Sequence, residues 1–316
     1  MTGEQRPLHT PEWLDHFARA GYPDVQPLAA GAEGSVYLLG DGTVAKVWRR
    51  RQTRELARLR RCYADLAAFP LPFATPEIVR VTQVGDAAVT IERALPGTPL
   101  QDRLTASDSD LDPVAGAAVL GVLRALAGVP AGAAMVDMPV LDEVVALWAG
   151  ADSFQGALGA LLGRRVARFG DLLRARVPDF DGRYARLLAA LEAVEPVPAS
   201  VVHGDLFGEN ILVDEAGRPV AVLDFGFLTT AGDPRLDAAI TAAVMDMYGP
   251  HAGAMTGTLT RRFAAELGCP VRTLLVYQGV YAVATANAFA PDGADGHFDW
   301  CVAQLSRPDL LEALGR

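Results

Sequence analysis

Three oxygen-bearing side chains, Asp205, Asn210 and Asp224, fall in one short stretch: His-Gly-Asp-Leu-Phe-Gly-Glu-Asn-Ile-Leu-Val-Asp from residue 203, then Asp-Phe-Gly from residue 224. A carboxylate, an amide and a second carboxylate suit phosphoryl transfer. The first can orient a hydroxyl, and the other two can hold magnesium against a triphosphate. The element that must position them is legible as a hairpin. Ile211-Leu212-Val213 and Val220-Ala221-Val222-Leu223 read as apolar strands, with Asp214-Glu215-Ala216-Gly217 as the turn between them. Folding the hairpin back brings Asn210 and Asp224 to one end, close enough to share a metal.

The protein kinase catalytic loop has the pattern H-R-D-x-x-x-x-N, followed by D-F-G. Here the loop is His203-Gly204-Asp205, four residues, then Asn210, with Asp224-Phe225-Gly226 after it. A purely structural role for these residues as turn formers would not need so many matches at fixed spacing. With Gly in place of Arg and Asn-Ile-Leu following, the segment resembles the aminoglycoside phosphotransferase family, a small-molecule branch of the protein-kinase-like fold. The resemblance implies an α+β, two-lobed protein-kinase-like fold. A small antiparallel β-sheet lobe over residues 1–94 would bind nucleotide, and a mainly helical lobe over residues 95–316 would carry catalysis and the acceptor. It also implies ATP and Mg²⁺, with Asp205 catalytic and Asn210 and Asp224 as the metal ligands. His203 is expected to shape the loop, since Asp205 already occupies the base position.

Upstream, Thr10-Pro11-Glu12 predicts a helix start: a capping hydroxyl, Pro at the first helical position and an acid in the first turn. Residues 29–36 read Ala-Ala-Gly-Ala-Glu-Gly-Ser-Val. Gly31, Gly34 and Val36 match the kinase glycine-rich pattern, with Ala29 where the first Gly would stand. Backbone N–H groups over Gly31–Ser35 could then approach phosphate oxygens closely. Gly40-Asp41-Gly42 predicts a hairpin turn, which places Lys46 in a strand. Its Val-Ala-Lys setting resembles the kinase third-strand lysine that pairs the α- and β-phosphates. A helix over 52–68 follows, and Glu55 is the best candidate for the ion pair that steadies Lys46, with Asp65 second. The arginines around this helix read as a solvated face, because no aromatic interleaving accompanies them.

Residues 87–91 read as a buried strand ending in Glu92-Arg93-Ala94-Leu95-Pro96-Gly97. The family resemblance makes this the linker between lobes, with adenine on backbone groups of Glu92 and Ala94 and with Ile91 beside it. Beyond it, the pattern predicts helices over 113–127, 139–149, 153–176 and 179–194. The arginines Arg164, Arg165, Arg168, Arg174 and Arg176 are expected to be exposed. Gly232-Asp233-Pro234-Arg235-Leu236-Asp237 resembles a family segment whose last Asp braces the catalytic loop. No long activation segment or Ala-Pro-Glu signature follows Asp224-Phe225-Gly226, which argues against a protein kinase and for a small acceptor.

A net charge of −10 argues against a nucleic-acid-binding surface and is compatible with a cationic acceptor. Three scattered cysteines carry no zinc or disulfide spacing, and the N-terminus lacks a signal-peptide pattern, so a cytoplasmic setting is expected. Residues 273–290 are the nearest approach to a membrane span, but they contain Gln278 and Asn287 and read as a buried helix; no membrane partner is expected. Nothing indicates an oligomeric state. The acceptor expected is an aminoglycoside or another antibiotic. Asp246, Glu266, Asp292, Asp295 and Asp299 are candidate carboxylates for its ammonium groups, although the Pro291-Asp-Gly-Ala-Asp-Gly loop reads first as a solvated turn. A kinase of a cellular metabolite such as a sugar or choline is the alternative. A non-catalytic nucleotide-binding regulator is disfavoured, because Lys46, Asp205, Asn210 and Asp224 are all present.

Overall fold

A computed structural model describes residues 11–31, 33–49, 51–104 and 109–315. The Thr10 cap, Arg50 and the Ser107-Asp108 pair lie outside the described residues. The chain divides into two compact units, one of residues 1–70 with 74–96, the other of 71–73 with 97–316.

The first unit opens with helix α1 (Pro11–Arg19), followed by strands β1 (Gln26–Ala30), β2 (Gly34–Leu38) and β3 (Thr43–Trp48). Helix α2 (Thr53–Ala67) and strands β4 (Ile78–Val84) and β5 (Ala87–Arg93) complete it. The strands form one antiparallel sheet in the order β1-β2-β3-β5-β4. The β2–β3 turn needs glycine at both ends, with Gly40 at φ +86° and Gly42 at φ +83°. One sheet face packs on α1 through Phe17, Tyr37, Leu39, Ala45, Val47, Val89 and Ile91. Helix α2 buries Leu56, Leu59, Cys62, Tyr63 and Leu66, one stripe at helical spacing. The unit ends two residues later than the break expected at 94/95. The Ala94 N–H donates to Gly42 O at 3.0 Å, which holds Ala94 to the β2–β3 turn.

The second unit begins with the short strand β6 (Thr98–Pro99), then helices α3 (Pro113–Ala127), α4 (Ala133–Val136), α5 (Phe154–Arg176) and α6 (Phe180–Glu192). Asp112 starts α3 by accepting from the Val114 and Ala115 N–H groups at 2.7 and 3.0 Å. Strands β7 (Ser200–Val202), β8 (Ile211–Val213), β9 (Pro219–Val222) and β10 (Thr230–Gly232) follow. Helices α7 (Arg235–Val244), α8 (Ala252–Leu267), α9 (Val271–Thr285), α10 (Gly296–Gln304) and α11 (Pro308–Ala313) finish the chain. Two small sheets result, β6-β8-β9 and β7-β10. The apolar helix α9 is the centre of this unit, packed against α5, α6, α7, α8, α10 and α11. Its buried Gln278 donates to Ala239 O and Thr260 Oγ1 and accepts from Arg307, so the polar group is fully engaged. Among the described residues no helix is long and apolar enough to cross a membrane.

Residues 139–149 are not the helix that their composition predicts. They form turns closed by a bridge between Pro139 and Ala146, and Leu141 has a left-handed φ of +55°, which an α-helix excludes. Long-range ion pairs hold this shape: Asp142 binds Arg165 and Arg168, and Glu143 binds Arg164 at 2.5 Å, all on α5. Arg165 is accordingly only 2% exposed, not the solvated arginine expected, with its guanidinium also over the Phe169 ring at 4.7 Å.

Candidate active site

The catalytic loop leaves β7, whose antiparallel partner β10 lies just beyond the Asp224 segment. His203 is fully buried and uses both ring nitrogens. Nε2 lies 2.7 Å from Leu223 O, and Nδ1 accepts the Asp205 N–H at 3.2 Å. Those partners fix the neutral Nε2–H tautomer. Burial, opposed by the Leu223 carbonyl and the Asp224 charge, lowers its pKa to about 4. The imidazole is a brace for the loop and carries no charge at neutral pH.

Gly204 explains why Arg is absent at this position. Its φ is +80°, and a Cβ would stand 2.4 Å from Leu228 Cβ and 2.5 Å from the Leu228 carbonyl carbon. The loop is clamped from the far side by Asp237 on α7. Its carboxylate accepts the His203 N–H at 2.8 Å and the Gly204 N–H at 2.7 Å. Burial pushes the Asp237 carboxyl up to about 7 against the pull of those two donors. A residue the sequence did not single out completes the clamp. Buried Thr229 donates through Oγ1 to His203 O and accepts the Gly226 N–H, both at 2.7 Å. Thr229 lies three residues beyond the Asp-Phe-Gly run, and local sequence carries no mark of that role.

The hairpin β8–β9 brings the remaining oxygens together. Asn210 Nδ2 donates to Asp205 O at 2.8 Å, and the Leu223 N–H donates to Asn210 O at 2.8 Å. Asp205, Asn210 and Asp224 therefore converge at one end of the hairpin. Asp224 is exposed with φ +54°, a left-handed conformation that Asp tolerates better than most residues. Phe225 is fully buried, its ring 4.3 Å from His203. The bonded Nδ2 fixes the Asn210 amide, and its Oδ1 and the Asp224 carboxylate are the oxygen donors that could hold Mg²⁺. That ion commonly takes one or two protein oxygens and completes its shell with phosphates and water.

In the first unit, Lys46 lies on β3, 7% exposed, with Nζ 4.1 Å from the Trp48 ring centroid. Trp48 was not singled out in the sequence, although residues two apart in a strand share a face. Its Nε1 donates to Thr90 Oγ1 at 3.0 Å, and Thr90 donates to Glu92 Oε1 at 2.6 Å. The acid on Lys46 comes from the glycine-rich loop: Glu33 Oε2 lies 3.2 Å from Lys46 Nζ, and its Oε1 lies 2.8 Å from Arg51 Nη2. Glu55 does not fill the expected role. Its carboxylate accepts the Gln52 N–H at 2.6 Å and caps its own helix.

The other nucleotide-site expectations divide by sheet face. Lys46 pairs opposite Thr90, and Ala45 opposite Ile91. Ile91 thus lies on the α1 side, in the core, and not on the Lys46 face; the period-2 alternation of β5 decides this. Glu92 shares the Lys46 face. Of the Ala94 backbone groups expected to meet adenine, the N–H is already bonded to Gly42 O. Ser35 is buried within β2 opposite Val47. Gly34 is required by crowding, since a Cβ there would stand 2.0 Å from Val47 O, whereas Gly31 faces open space.

Residues 24–266 match the family model described as the phosphotransferase enzyme family. No curated protein matches the chain. Solved structures share the fold at low identity. The apoenzyme of a macrolide 2′-phosphotransferase from Brachybacterium faecium is 20% identical with a TM-score of 0.58, over 95% of this chain and 99% of that one. The GDP and kanamycin complex of APH(2")-IIia is 17% identical with a TM-score of 0.64, over 95% and 98%. An aminoglycoside phosphotransferase from Streptomyces rimosus, in complex with ADP and streptomycin, is 19% identical with a TM-score of 0.52, over 85% and 97%.

Proposed function

The chain belongs to the phosphotransferase enzyme family, as a small-molecule kinase, and from that premise we propose that it transfers the γ-phosphoryl group of ATP to a hydroxyl of an antibiotic. The observation that carries this reading is the convergence of Asp205, Asn210 and Asp224 on one hairpin end, tied by the Asn210-to-Asp205 bond at 2.8 Å. Structures of similar fold hold ADP or GDP, with streptomycin or kanamycin as the second ligand. They favour an antibiotic acceptor over a sugar or choline.

In the proposed reaction Asp205 accepts the acceptor's hydroxyl proton as the oxygen attacks the γ-phosphorus. The bond from that phosphorus to the β,γ-bridging oxygen breaks, leaving ADP. Lys46 pairs the α- and β-phosphates, and the Gly31–Ser35 loop covers them. Asn210 and Asp224 would hold Mg²⁺, which when bound would supply neutralising charge to the phosphates. Glu33 bridges Lys46 and Arg51, so the arriving triphosphate competes with it for both cations. The stretch from Phe227 to Pro234 is too short to build the peptide-docking segment of a protein kinase.

The test is nucleoside diphosphate release with Mg²⁺ and either ATP or GTP, across aminoglycosides, other hydroxylated antibiotics, choline and simple sugars. Asp205→Asn is the control. Turnover on an antibiotic should fall by roughly 10²–10⁴ in the variant. Unchanged turnover there would remove Asp205 from the chemistry, and activity confined to choline or a sugar would move the acceptor to a metabolite.

A further inference from the structure

An aromatic layer runs through the second unit from the catalytic residues to solvent. Phe227, the residue after Gly226, stacks on Phe289 with centroids 5.7 Å apart and planes 5° from parallel. Phe289 meets His297 edge-on at 4.9 Å, and His297 stacks on Trp300 at 5.6 Å. Tyr281 joins Trp300 at 6.0 Å. Tyr248 reaches the same layer through its hydroxyl, 3.3 Å from His297 Nδ1. The inner end is the catalytic centre: burial and then the Asp205 charge raise the Tyr281 phenol well above its usual value. The outer end is open, with Tyr248 68% and Phe289 42% exposed.

A second apolar element meets the same layer. The Leu141 N–H donates to Phe227 O at 2.7 Å, which fixes the 139–149 turns beside the stack. Those turns present Val144, 88% exposed, and Val145, 43% exposed. Single exposed apolar side chains need no explanation. Four on the elements flanking one segment, Phe227 and its neighbours, make a candidate binding surface.

Four of the five candidate carboxylates for a polycation have other partners, and the fifth, Asp246, two residues before Tyr248, is enough for one amine only. Glu266 pairs with Arg124 at 3.0 Å and Asp299 with Arg176 at 2.8 Å. Asp295 accepts the Phe298 N–H at 2.7 Å to cap α10, and Asp292 accepts the Ala294 N–H at 3.1 Å within its own turn. His297 brings no charge either, because burial lowers its pKa to about 4.

We infer that the acceptor lies on this layer by an apolar ring face, so that the preferred substrate is a hydroxylated scaffold of low charge, with at most one amine, and not a polycation. The inference rests on the phosphotransferase reading above and names the acceptor class of that site. Ring C–H groups on Phe289 and Tyr248 would supply the contact, and the Val144–Val145 tip would close over the far edge. A polycation would lose hydration at this surface with only Asp246 of the candidate carboxylates to replace it.

The test is calorimetric binding to the full chain with Mg²⁺ and ADP, which needs no turnover. The two probes are kanamycin and a hydroxylated macrocyclic lactone carrying one tertiary amine. The lactone should bind at least about tenfold tighter, with affinity insensitive to salt. Phe289→Ala should weaken it about tenfold, and Phe289→Tyr should restore it; both sit at an exposed position, so the fold survives. Tighter kanamycin binding, no lactone binding, or lactone binding unmoved by Phe289→Ala would each overturn the inference. Lactone binding with no diphosphate release in the presence of ATP would instead break the phosphotransferase reading and leave the acceptor surface standing.

Discussion

The two units hold their essential side chains by opposite means. In the second, the backbone around Asp205 is fixed by neutral and internal partners: His203, Thr229, Asn210 and the buried Asp237. None of these bonds must break for a ligand to bind. In the first, Lys46 and Arg51 are bridged by Glu33, an acid from the loop that would cover the phosphates. One unit is held by internal bonds alone, and in the other an internal anion occupies the cations proposed to take phosphate. On the proposed function, the contrast puts the fixed geometry in the second unit and nucleotide-dependent change in the first.

The largest effect should come from breaking the rigid side. Gly204→Ala adds a Cβ 2.5 Å from the Leu228 carbonyl carbon at a φ of +80°. Backbone strain and overpacking each cost about 1–3 kcal/mol. Melting temperature and turnover should therefore fall together, by several degrees and by orders of magnitude. A variant that melts like the parent would show that Leu228 yields freely, and the loop would not be the fixed element described here.

The same contrast explains what the sequence made legible. The Asp205–Asp224 hairpin and the starts of α3 and α5 are set by neighbours in the chain, so their residues announce them. Lys46 in β3 follows from the glycine turn before it. Where a distant partner decides, local pattern fails. Asp142 and Glu143 have helix-compatible neighbours, yet arginines on α5 draw them into turns. Ile91 reads as a site residue until strand pairing shows which face it takes. The sequence offered Glu55 and Asp65 as acids for Lys46, and only the loop fold brings in Glu33 instead. The edge strand β4 was not singled out at all, since only Ile78 of its residues is buried and the rest do not alternate.

A pH measurement sharpens the account of the rigid side. Asp237, raised to about 7, binds a proton in the fold between its unfolded value near 3.8 and 7. It therefore loses stability as pH rises through that window. His203 and His297, lowered to about 4, do the reverse: their contribution is full above about 6.5 and is lost as pH falls towards 4. Between about pH 4.5 and 6.5 Asp237 offsets one histidine. Asp237→Asn removes that offset, so stability of the variant should fall on acidification more steeply than that of the parent, by about 1.4 kcal/mol per pH unit. Urea unfolding across the window reads the difference directly. Equal slopes would mean that Asp237 is ionised in the fold, with the two N–H donors outweighing burial.

The smallest effect tests the exchangeable side. Glu33 is one-third exposed, so its pairs with Lys46 and Arg51 are partly screened by water and contribute on the order of 0.2–1 kcal/mol. Glu33→Gln keeps the shape of the loop residue and removes the competing charge. Nucleotide should then bind up to about fivefold tighter, because the phosphates meet Lys46 and Arg51 without displacing an anion. The gain should shrink as salt rises, since the electrostatic competition it relieves is screened. Glu55→Gln is the comparison: it alters the cap of α2 and leaves the charge on Lys46 untouched, so any loss there should appear in melting temperature and not in nucleotide affinity. If Glu33→Gln weakens nucleotide binding, the acid positions Lys46 productively instead of competing for it, and the first unit would be as preorganised as the second.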